Sequence, residues 1–412
     1  MQNANVSARI LGHLRAAVDS PLIKNRRFLD DEQLIRSEQL EVLEEIFNAN
    51  VRDAEIKELT SHFAGLLRRD HPCHLAVWGK TGTGKTLTLT YFLNLLTQLC
   101  AAEQIPIRTV HLDLTNPGPC FRALNDLACL LEASKYYRRG ISLEEIMQKI
   151  EAKLADYHGY LVLFIDEVDN VRHDKENFMA FLIRRLPQRI PAKLILVLVS
   201  NHLDWPDRLD ARVKSFLKVN EIVFHPYDAV DLQRILRIRV EKALDSRSVI
   251  PGVIEKISAI ASCEHGDARK AVALLARSAY MAEKGHSPLT LEIVDQAATD
   301  LETDRYLTLI QSAPPQLQLA MAAIIEAKRR SKRTIIRSID AYNAYHELCR
   351  RFHTRPLTSR VFGDLIAELD LYSLLRSRIV SRGRYGRTRE IILNLPGELV
   401  DRIYRVVLDN IQ

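Results

Sequence analysis

The stretch HLAVWGKTGTGKT, residues 74–86, decides how the first half of this sequence folds. Its apolar start, residues 74–79, predicts a buried strand, and GKTGTGKT, residues 79–86, fits the pattern G-x-x-x-x-G-K-[ST] before a helical segment. Glycines in such a loop let backbone N–H groups surround phosphate oxygens at the positive end of the helix. The stretch therefore predicts a phosphate-binding loop.

The loop motif predicts what its last two residues bind. Lys85 is expected to reach the β- and γ-phosphates of a nucleotide, and the Thr86 hydroxyl to ligate Mg²⁺. The residues expected at the nucleotide are Gly79, Thr81, Gly82, Thr83, Gly84, Lys85 and Thr86.

Four more apolar, β-branched runs follow, with helical patterns between them. They are RTVHLDL (108–114), YLVLFIDE (160–167), KLILVLVSN (193–201) and NEIVFH (220–225). Short continuous apolar runs of this kind are typical of parallel strands that are buried on both faces. The first half is therefore predicted to be an α/β domain with a five-stranded parallel sheet between layers of helices.

Polar residues stand where two of these strands end. Asp166 and Glu167 follow LVLFI directly, and Asn201 ends the next strand. Ligands of open α/β sheets bind at the carboxyl ends of the strands. Asp166 is therefore expected to hold Mg²⁺, Glu167 to orient or polarise the attacking water, and Asn201 to sense water or the γ-phosphate.

Beyond Pro226 the strand patterns stop, and four amphipathic patterns predict a small all-helical domain. QSAPPQ, residues 311–316, is a proline-rich break, and three more helical patterns follow it. Two strand patterns joined by the basic turn RGRYGRTRE, residues 382–390, come next. The order of three helices and a hairpin is that of a winged-helix domain.

Charge separates this last segment from the rest of the chain. Residues 316–412 hold 18 Lys and Arg against 10 Asp and Glu, a net charge of +8, whereas the remainder holds 40 against 42. Such asymmetry indicates a polyanion partner, most often nucleic acid. The six cysteines form no C-x-x-C pair, the N-terminus lacks the apolar core of a signal peptide, and the apolar runs are too short to span a bilayer. A protein inside a reducing cell, without a membrane partner, is expected.

The winged-helix pattern predicts which residues contact DNA. A helix beginning near Thr358, whose side chain can cap it, would lie in the major groove, while the hairpin tip reaches a minor groove. Arg384 and Arg387 are expected in the minor groove, and Arg382 and Arg389 nearer the phosphates. The predicted DNA-binding residues are Ser359, Arg360, Arg382, Arg384, Tyr385, Arg387 and Arg389.

The chain resembles the AAA+ ATPases, and among them the archaeal and eukaryotic replication initiators, the origin recognition complex large subunit and cell division cycle protein six. The stretches that carry the resemblance span roughly residues 74–395: GKTGTGKT, FIDEVD, LDARVKS, FHPYDAVDLQRIL, GDARKA and RGRYGRTR. It implies an N-terminal extension (1–35), an AAA+ α/β core (36–225), a helical lid (226–310) and a C-terminal winged-helix domain (311–412).

The resemblance also implies roles that the residues alone did not indicate. Arg212 matches the arginine finger offered to a neighbouring protomer, and Arg269 matches sensor two on the lid. Tyr227 and Arg239 match lid positions near the nucleotide. The stretch before the first strand departs from the family: the Arg–Glu pair near the adenine would be Arg36 and Glu38 in a changed frame. Arg138 and Arg139 lie where initiators insert DNA-contacting helices, although a solvated charge pair is an equal alternative.

The function implied is an ATP-dependent replication initiator that binds double-stranded origin DNA and helps to recruit the replicative helicase of the minichromosome maintenance type. ATP and ADP with Mg²⁺ would act as a switch, with weak Mg²⁺-dependent hydrolysis, self-association or paralogous partners, and a cytoplasmic, nucleoid-associated location in an archaeal-like cell. Two alternatives stay open. One is an AAA+ regulator of a mobile element that selects transposition targets with little sequence preference, and the other is a signalling NTPase whose winged helix contacts protein only.

Overall fold

The computed structural model divides the chain into two compact units, Met1–Val294 and Asp295–Gln412. Of Ser381 and Arg387 only the backbone is described. The described residues are 22–30, 44, 47, 51–132, 140–205, 207, 209–211, 215, 217–263, 266–331, 334–381 and 387–411.

The first unit contains a parallel sheet of five strands in the order β2-β4-β6-β1-β7. Two very short strands, β3 and β5, pair with each other outside it. The strands are β1 His74–Gly79, β2 Ile107–Asp113, β3 Gly118–Pro119, β4 Tyr160–Asp166, β5 Val171–His173, β6 Lys193–Ser200 and β7 Val219–Phe224. The predicted five-stranded parallel sheet is confirmed.

Helices cover both faces of this sheet because its strands are apolar on both sides. Along β4, Val162 and Phe164 pack in the core under α1 and α2, whereas Leu161 and Leu163 pack in the core on the opposite face. This alternation follows the two-residue period of a strand. The helices of this part are α1 Asp53–Leu67, α2 Lys85–Ala102, α3 Cys120–Glu132, α4 Leu143–Leu154, α5 Lys175–Ala180 and α6 Leu186–Arg189, the last two joined by a π-turn at Phe181–Arg185.

The four helices predicted after Pro226 are present. They are α7 Ala229–Ala243, α8 Val253–Cys263, α9 Ala268–Lys284 and α10 Leu291–Ser312. The first three belong to the first unit, and the division between the units falls within α10, after Val294. The helical lid is therefore part of the same compact unit as the sheet as far as that residue.

The second unit is a winged-helix domain. Its three-stranded antiparallel sheet has the order β8-β10-β9, and Tyr345, Phe362 and Ile366 are among the side chains buried in its core. The elements are α11 Pro315–Ser331, β8 Ile336–Arg337, α12 Ser338–Arg351, α13 Ser359–Leu371, β9 Leu375–Ser381, β10 Arg387–Leu393 and α14 Gly397–Ile411.

The start of α13 differs from the prediction in how the helix is capped. The helix begins directly after Thr358, as predicted, but the Thr358 side chain makes no capping hydrogen bond. Its backbone carbonyl instead accepts the N–H of Phe362 at 2.9 Å, so the main chain alone starts the helix. Among the described helices, none is long and apolar enough to cross a membrane.

Candidate nucleotide site and nucleic-acid interface

The phosphate-binding loop connects β1 to α2 and depends on glycine geometry. Gly82 and Gly84 have φ values of 75° and 81°, in the left-handed region that other residues rarely adopt. Gly84 is the residue before α2 and supplies no side-chain cap. The first N–H groups of α2 therefore face the loop at the positive end of the helix, as a phosphate site requires.

Lys85 lies at the centre of this loop, with its ammonium group held by three oxygen atoms. Its Nζ donates to the carbonyls of Gly79 and Lys80 at 2.7 and 2.8 Å, and to Asn201 Oδ1 at 2.9 Å. Burial lowers the pKa of Lys85 to about 8, against the opposing attraction of Asp166. The structure thus brings Asn201, from the end of β6, next to the lysine of the loop.

The end of β4 supplies a carboxylate to the same site. Thr86 Oγ1 donates a 2.6 Å hydrogen bond to Asp166 Oδ2, and the Asp166 side chain is buried. A hydroxyl and a carboxylate are both oxygen ligands that Mg²⁺ accepts. Among the described residues, no three His, Cys, Asp or Glu side chains form a metal-binding group, so an ion here would take its other ligands from water and phosphate. Thr86 and Asp166 fit that role.

Glu167 has an unusual backbone. Its φ of 53° places a non-glycine residue in the left-handed region, and its N–H donates to Asp166 Oδ1 at 3.0 Å. Burial, and then the negative charge of Asp166, raise the pKa of the Glu167 carboxyl group. Asn170 Nδ2 donates to Glu167 Oε2 at 2.7 Å.

The lid closes over the loop from the other side. Asp267 caps α9 by accepting the N–H of Arg269 at 2.9 Å, and the N–H of Ala268 donates to the carbonyl of Gly82 at 3.1 Å. Arg269 is exposed in the first turn of α9 and faces the cleft. The lid and the phosphate loop are therefore in direct contact.

One cleft collects nearly all predicted nucleotide-site side chains. It encloses about 810 Å³ of empty space, including open solvent at its mouth. Arg239 is buried and donates to the carbonyl of Phe28 at 2.9 Å. Two of the predicted residues, Gly79 and the exposed Thr81, do not line the cleft. The predicted residues that line it are Gly82, Thr83, Gly84, Lys85, Thr86, Asp166, Glu167, Asn201, Tyr227, Arg239 and Arg269.

Three family models match successive parts of the chain. Family models match for an AAA domain at residues 68–204, a Cdc6 AAA+ ATPase-type lid domain at 233–299 and the C-terminal winged-helix domain of CDC6 at 308–402. The ORC1-type DNA replication protein 1 of Sulfurisphaera tokodaii is 32% identical over 351 residues, which cover 85% of this chain and 87% of the relative. The chain belongs to the ORC1-type DNA replication protein family.

Another ORC1-type relative and two solved structures are similar to this chain over most of its length. The ORC1-type DNA replication protein 1 of Methanosarcina mazei is 30% identical over 389 residues, 93% of this chain and 92% of the relative. The Orc1 protein of Aeropyrum pernix, solved in complex with DNA, has a TM-score of 0.74 and 26% identity, covering 93% of this chain and 96% of that chain. Cdc6p of Pyrobaculum aerophilum, with a TM-score of 0.55, 20% identity and coverage of 95% and 98%, supports the fold.

Sequence reasoning missed Arg52, which is buried against the nucleotide cleft. Its Nη2 donates to the carbonyls of Thr83 and His225 at 2.7 and 2.8 Å, and its Nη1 pairs with Glu55 at 2.6 Å. The guanidinium lies 3.8 Å from the centre of the Tyr227 ring. Arg52 therefore joins the phosphate loop to the start of the lid. Its nearest sequence signal is the acidic pair Asp53 and Glu55, which opens α1 directly after it.

Several residues singled out by the ORC1-type resemblance fall outside the described residues. These are Arg36 and Glu38, the expected pair near the adenine, and Arg138 and Arg139 in the inserted segment. The proposed arginine finger, Arg212, also lies outside them. Their roles stay predictions.

In the winged-helix unit, α13 exposes Ser359 and Arg360 in its first turn, as a groove-reading helix would. Arg389 bonds within the unit. Its guanidinium donates to the carbonyl of Gly363 in α13, and its backbone N–H donates to Ser338 Oγ at 3.4 Å. Arg389 thus joins the hairpin to α13, and its expected place near the phosphates stays a prediction.

The tip of the hairpin lies outside the described residues. Arg382, Arg384 and Tyr385 belong to it, and the backbone of Arg387 pairs with Ser381 where β10 begins. Sequence reasoning also passed over Arg376 and Arg378 on β9, which are exposed. Arg378 pairs with Glu390 across the hairpin at 2.8 Å.

Proposed function

We propose that this protein is an ATP-dependent replication initiator that binds duplex DNA at origins, hydrolyses ATP slowly with Mg²⁺ and uses the nucleotide as a switch. The observation that carries the nucleotide part is the convergence of Lys85, Thr86, Asp166, Glu167 and Asn201 on one cleft. In P-loop NTPases these residue types hold phosphates and Mg²⁺ and orient water.

Each side chain has a chemical task in this proposal. Lys85 and the N–H groups at the start of α2 hold the phosphates, and Asn201 lies 2.9 Å from Lys85 Nζ, where it would contact the γ-phosphate or the water. Thr86 and Asp166 hold Mg²⁺, which neutralises charge on the phosphate oxygens. Glu167 orients the attacking water.

The switch follows from the way that the lid meets the phosphate loop. Ala268 donates to Gly82, and Arg269 and Tyr227 line the cleft beside Gly84. A nucleotide that contacts both parts binds the closed lid more tightly than an open one, and such a differential affinity is what shifts a conformational equilibrium.

Two further observations support the DNA part. Residues 316–412 carry a net charge of +8, from 18 basic and 10 acidic side chains, and they fold as a winged helix. The related Orc1 protein of Aeropyrum pernix was solved with DNA. Arg212 as a finger to a neighbouring or paralogous protomer, and recruitment of a minichromosome maintenance-type helicase, extend the proposal from the family resemblance.

Footprinting on genomic DNA, with ATP and with ADP, tests the whole proposal. An initiator should protect discrete repeated sites, and the protection should differ between the two nucleotides. Protection without discrete sites would favour a transposition target selector, and no protection would favour a signalling NTPase.

The nucleotide site has its own test in Lys85→Ala. Removing the ammonium leaves the phosphates to backbone dipoles alone, so ATP affinity should fall by at least about 100-fold. Binding of a fluorescent ATP analogue measures it, with Lys80→Ala as the control in the same loop. Full affinity in Lys85→Ala would contradict the assignment.

A further inference from the structure

One face of α13 points away from the core of the winged helix. Three side chains bury the opposite face in that core: Phe362, Ile366 and Leu369. Because successive residues of a helix are about 100° apart, the outward face consists of four exposed residues, Arg360, Asp364, Ala367 and Leu371. In the proposed complex with duplex DNA this face enters the major groove, so these four side chains are the ones that meet base edges.

Asp364 carries the wrong charge for its position on this face. Residues 316–412 have a net charge of +8, and a carboxylate on a DNA-binding helix repels the phosphates. Ala367 and Leu371 are apolar, so Arg360 and Asp364 supply the hydrogen-bonding side chains of the face. A carboxylate at this place weakens binding to every sequence unless it accepts a hydrogen bond from a base.

Within the part of the chain that the structure describes, no cation neutralises Asp364. Other acids between residues 316 and 412 each bond a neighbouring side chain: Glu326, Asp340, Glu347, Glu368, Asp370, Glu390 and Asp401. Arg389 donates to the carbonyl of Gly363, the residue before Asp364, and not to the carboxylate itself. The oxygen atoms of Asp364 are therefore open to a donor from outside the protein.

The major groove contains two kinds of base donor, and one of them suits a carboxylate better. Cytosine presents its N4 amino group alone, whereas adenine presents its N6 amino group beside the acceptor N7, which repels a second acceptor. Space beside the helix allows the approach, because a Cβ on Gly363 would meet no atom within 4 Å. Arg360 lies one helical turn away, about 6 Å along the axis, and base pairs are about 3.4 Å apart, so the two side chains reach different base pairs.

We propose that Asp364 selects cytosine at one position of the duplex that the protein binds, an inference that rests on the proposed origin binding. Its carboxylate accepts a hydrogen bond from the N4 amino group of that cytosine. The same negative charge lowers the affinity for duplexes that lack the cytosine. Asp364 therefore discriminates in two ways, by attraction to one base and by repulsion from the others.

Selection from duplexes with a randomised centre tests the proposal. The full-length wild type and its Asp364→Asn variant, each with ATP, enrich sequences from the same pool. Asparagine bonds both N6 and N7 of adenine, so the preferred base at one position should change from cytosine to adenine. At that position the dissociation constants should favour cytosine by about tenfold in the wild type and adenine by about tenfold in the variant.

A cytosine analogue that lacks the N4 amino group tests the contact itself. Placed in the selected duplex, it should weaken wild-type binding by about tenfold, whereas Asp364→Ala should bind the two duplexes within a factor of about two. Asp364→Ala should also bind random duplexes at least as tightly as the wild type, because a negative charge is lost. Damage to the fold would instead weaken binding to every duplex.

Asp409→Asn is the matched control for the change in charge. Asp409 is an exposed acid on α14 of the same unit, away from α13 in the sequence. Its replacement removes the same negative charge and should leave the selected sequence unchanged. A change from cytosine to adenine in this control would overturn the proposal, because net charge would then explain the preference.

The selected sequences also separate this inference from the proposed function. If Asp364→Asn selects the same cytosine as the wild type, or if the analogue costs the wild type no affinity, the role of Asp364 is overturned while origin binding stands. If the wild type enriches no sequence from the pool, the proposed origin binding fails, and the role of Asp364 fails with it.

Discussion

Arg52 joins parts of the chain that are far apart in sequence. It contacts Thr83 in the phosphate loop, His225 after β7 and the ring of Tyr227 at the start of the lid, and it is almost fully buried. A buried guanidinium is tolerated because Glu55 pairs with it and two carbonyls accept its N–H groups. Its removal would therefore loosen the loop and the lid together.

Arg52→Lys is expected to weaken ATP binding by about tenfold and to lower the free energy of unfolding by about 2 kcal/mol. Lysine keeps the charge but lacks the planar fork that reaches two carbonyls and Glu55 at once. Isothermal titration with ATP and urea unfolding measure the two effects. Arg68→Lys is the matched control, because Arg68 pairs with Asp70 at the surface, where such pairs contribute little. Equal effects in both variants would contradict the role given to Arg52.

The lowered pKa of His74 should make the free energy of unfolding fall in acid. Burial, with smaller contributions from the charges of His71 and His62, lowers the pKa of His74 from 6.5 to about 4, and its Nδ1 accepts the N–H of Leu196 at 3.2 Å. Between these two pKa values the unfolded chain binds a proton that the folded chain does not, so stability falls as the pH falls. From pH 7 to pH 5 the loss should be about 2 kcal/mol.

Denaturant unfolding of the wild type and of His74→Asn at both pH values measures this loss. Asparagine can still accept the N–H of Leu196 but does not titrate. Between pH 7 and pH 5 the free energy of unfolding of His74→Asn should therefore fall by about 2 kcal/mol less than that of the wild type. The same dependence in both proteins would show that another group is responsible.

At the scale of elements, the long strands and most of the long helices were predictable, and the shortest strands were not. β4 and β6 are buried on nearly every residue, and such continuous apolar runs predict a parallel strand directly. β3, β5 and β8 are only two or three residues long, and pairing with a distant partner defines them, so no local pattern marks them. α14 was also missed in the sequence, although its apolar face is regular.

The nucleotide site was predictable to the extent that it depends on strand ends. β4 pairs with β6, and β6 pairs with β1, so Asp166, Asn201 and the loop after Gly79 meet at one edge of the sheet. Arg52 could not be placed in the same way, because it lies directly before α1 and not at the end of a strand. The contact from Asn170 to Glu167 depends on the left-handed turn at Glu167, which strand patterns do not encode.

Glycines in two different elements should respond oppositely to alanine. Gly363 lies inside α13, where an added Cβ would meet no atom within 4 Å, and a helix-interior glycine is less stable than alanine. Gly363→Ala should therefore raise the free energy of unfolding of the second unit by about 0.5–1 kcal/mol. Gly82→Ala should do the reverse in the first unit, because its Cβ would overlap the Asp267 carboxylate at a positive φ. Calorimetric unfolding reports both, and a less stable Gly363→Ala would contradict the reasoning.

At the scale of the whole molecule, the nucleotide cleft and the winged helix lie in different units. The cleft that collects Lys85, Asp166 and Arg269 lies entirely within Met1–Val294, whereas the winged helix lies in Asp295–Gln412. Positive charge is concentrated in the C-terminal segment, 18 basic against 10 acidic residues in 316–412, while the rest of the chain is close to neutral. DNA affinity should therefore depend on the second unit and ATP affinity on the first.

The hairpin tip is the place to test this division, since its arginines flank a Tyr–Gly pair in the sequence RGRYGRTRE. Arg384→Ala combined with Arg387→Ala should weaken duplex binding by at least about tenfold without changing ATP affinity in the absence of DNA. Removing an arginine that binds a phosphate should reduce the slope of log affinity against log salt by about 0.9, whereas removing one that lies in a groove should change the preference among sequences. Fluorescence anisotropy at several salt concentrations measures both quantities.

A control with the same change in charge distinguishes contacts made by the hairpin from the effect of the protein's net charge on DNA affinity. Arg402→Ala combined with Arg405→Ala removes two exposed positive charges from α14 in the same unit. If net charge alone attracts DNA, both double variants should show the same decrease in affinity and in slope. If the hairpin enters a groove, the affinity of the tip variant should fall further, and its discrimination between origin and random duplexes should decrease. Wild-type binding by the tip variant to both duplexes would contradict the hairpin as the DNA reader and favour a winged helix that contacts protein.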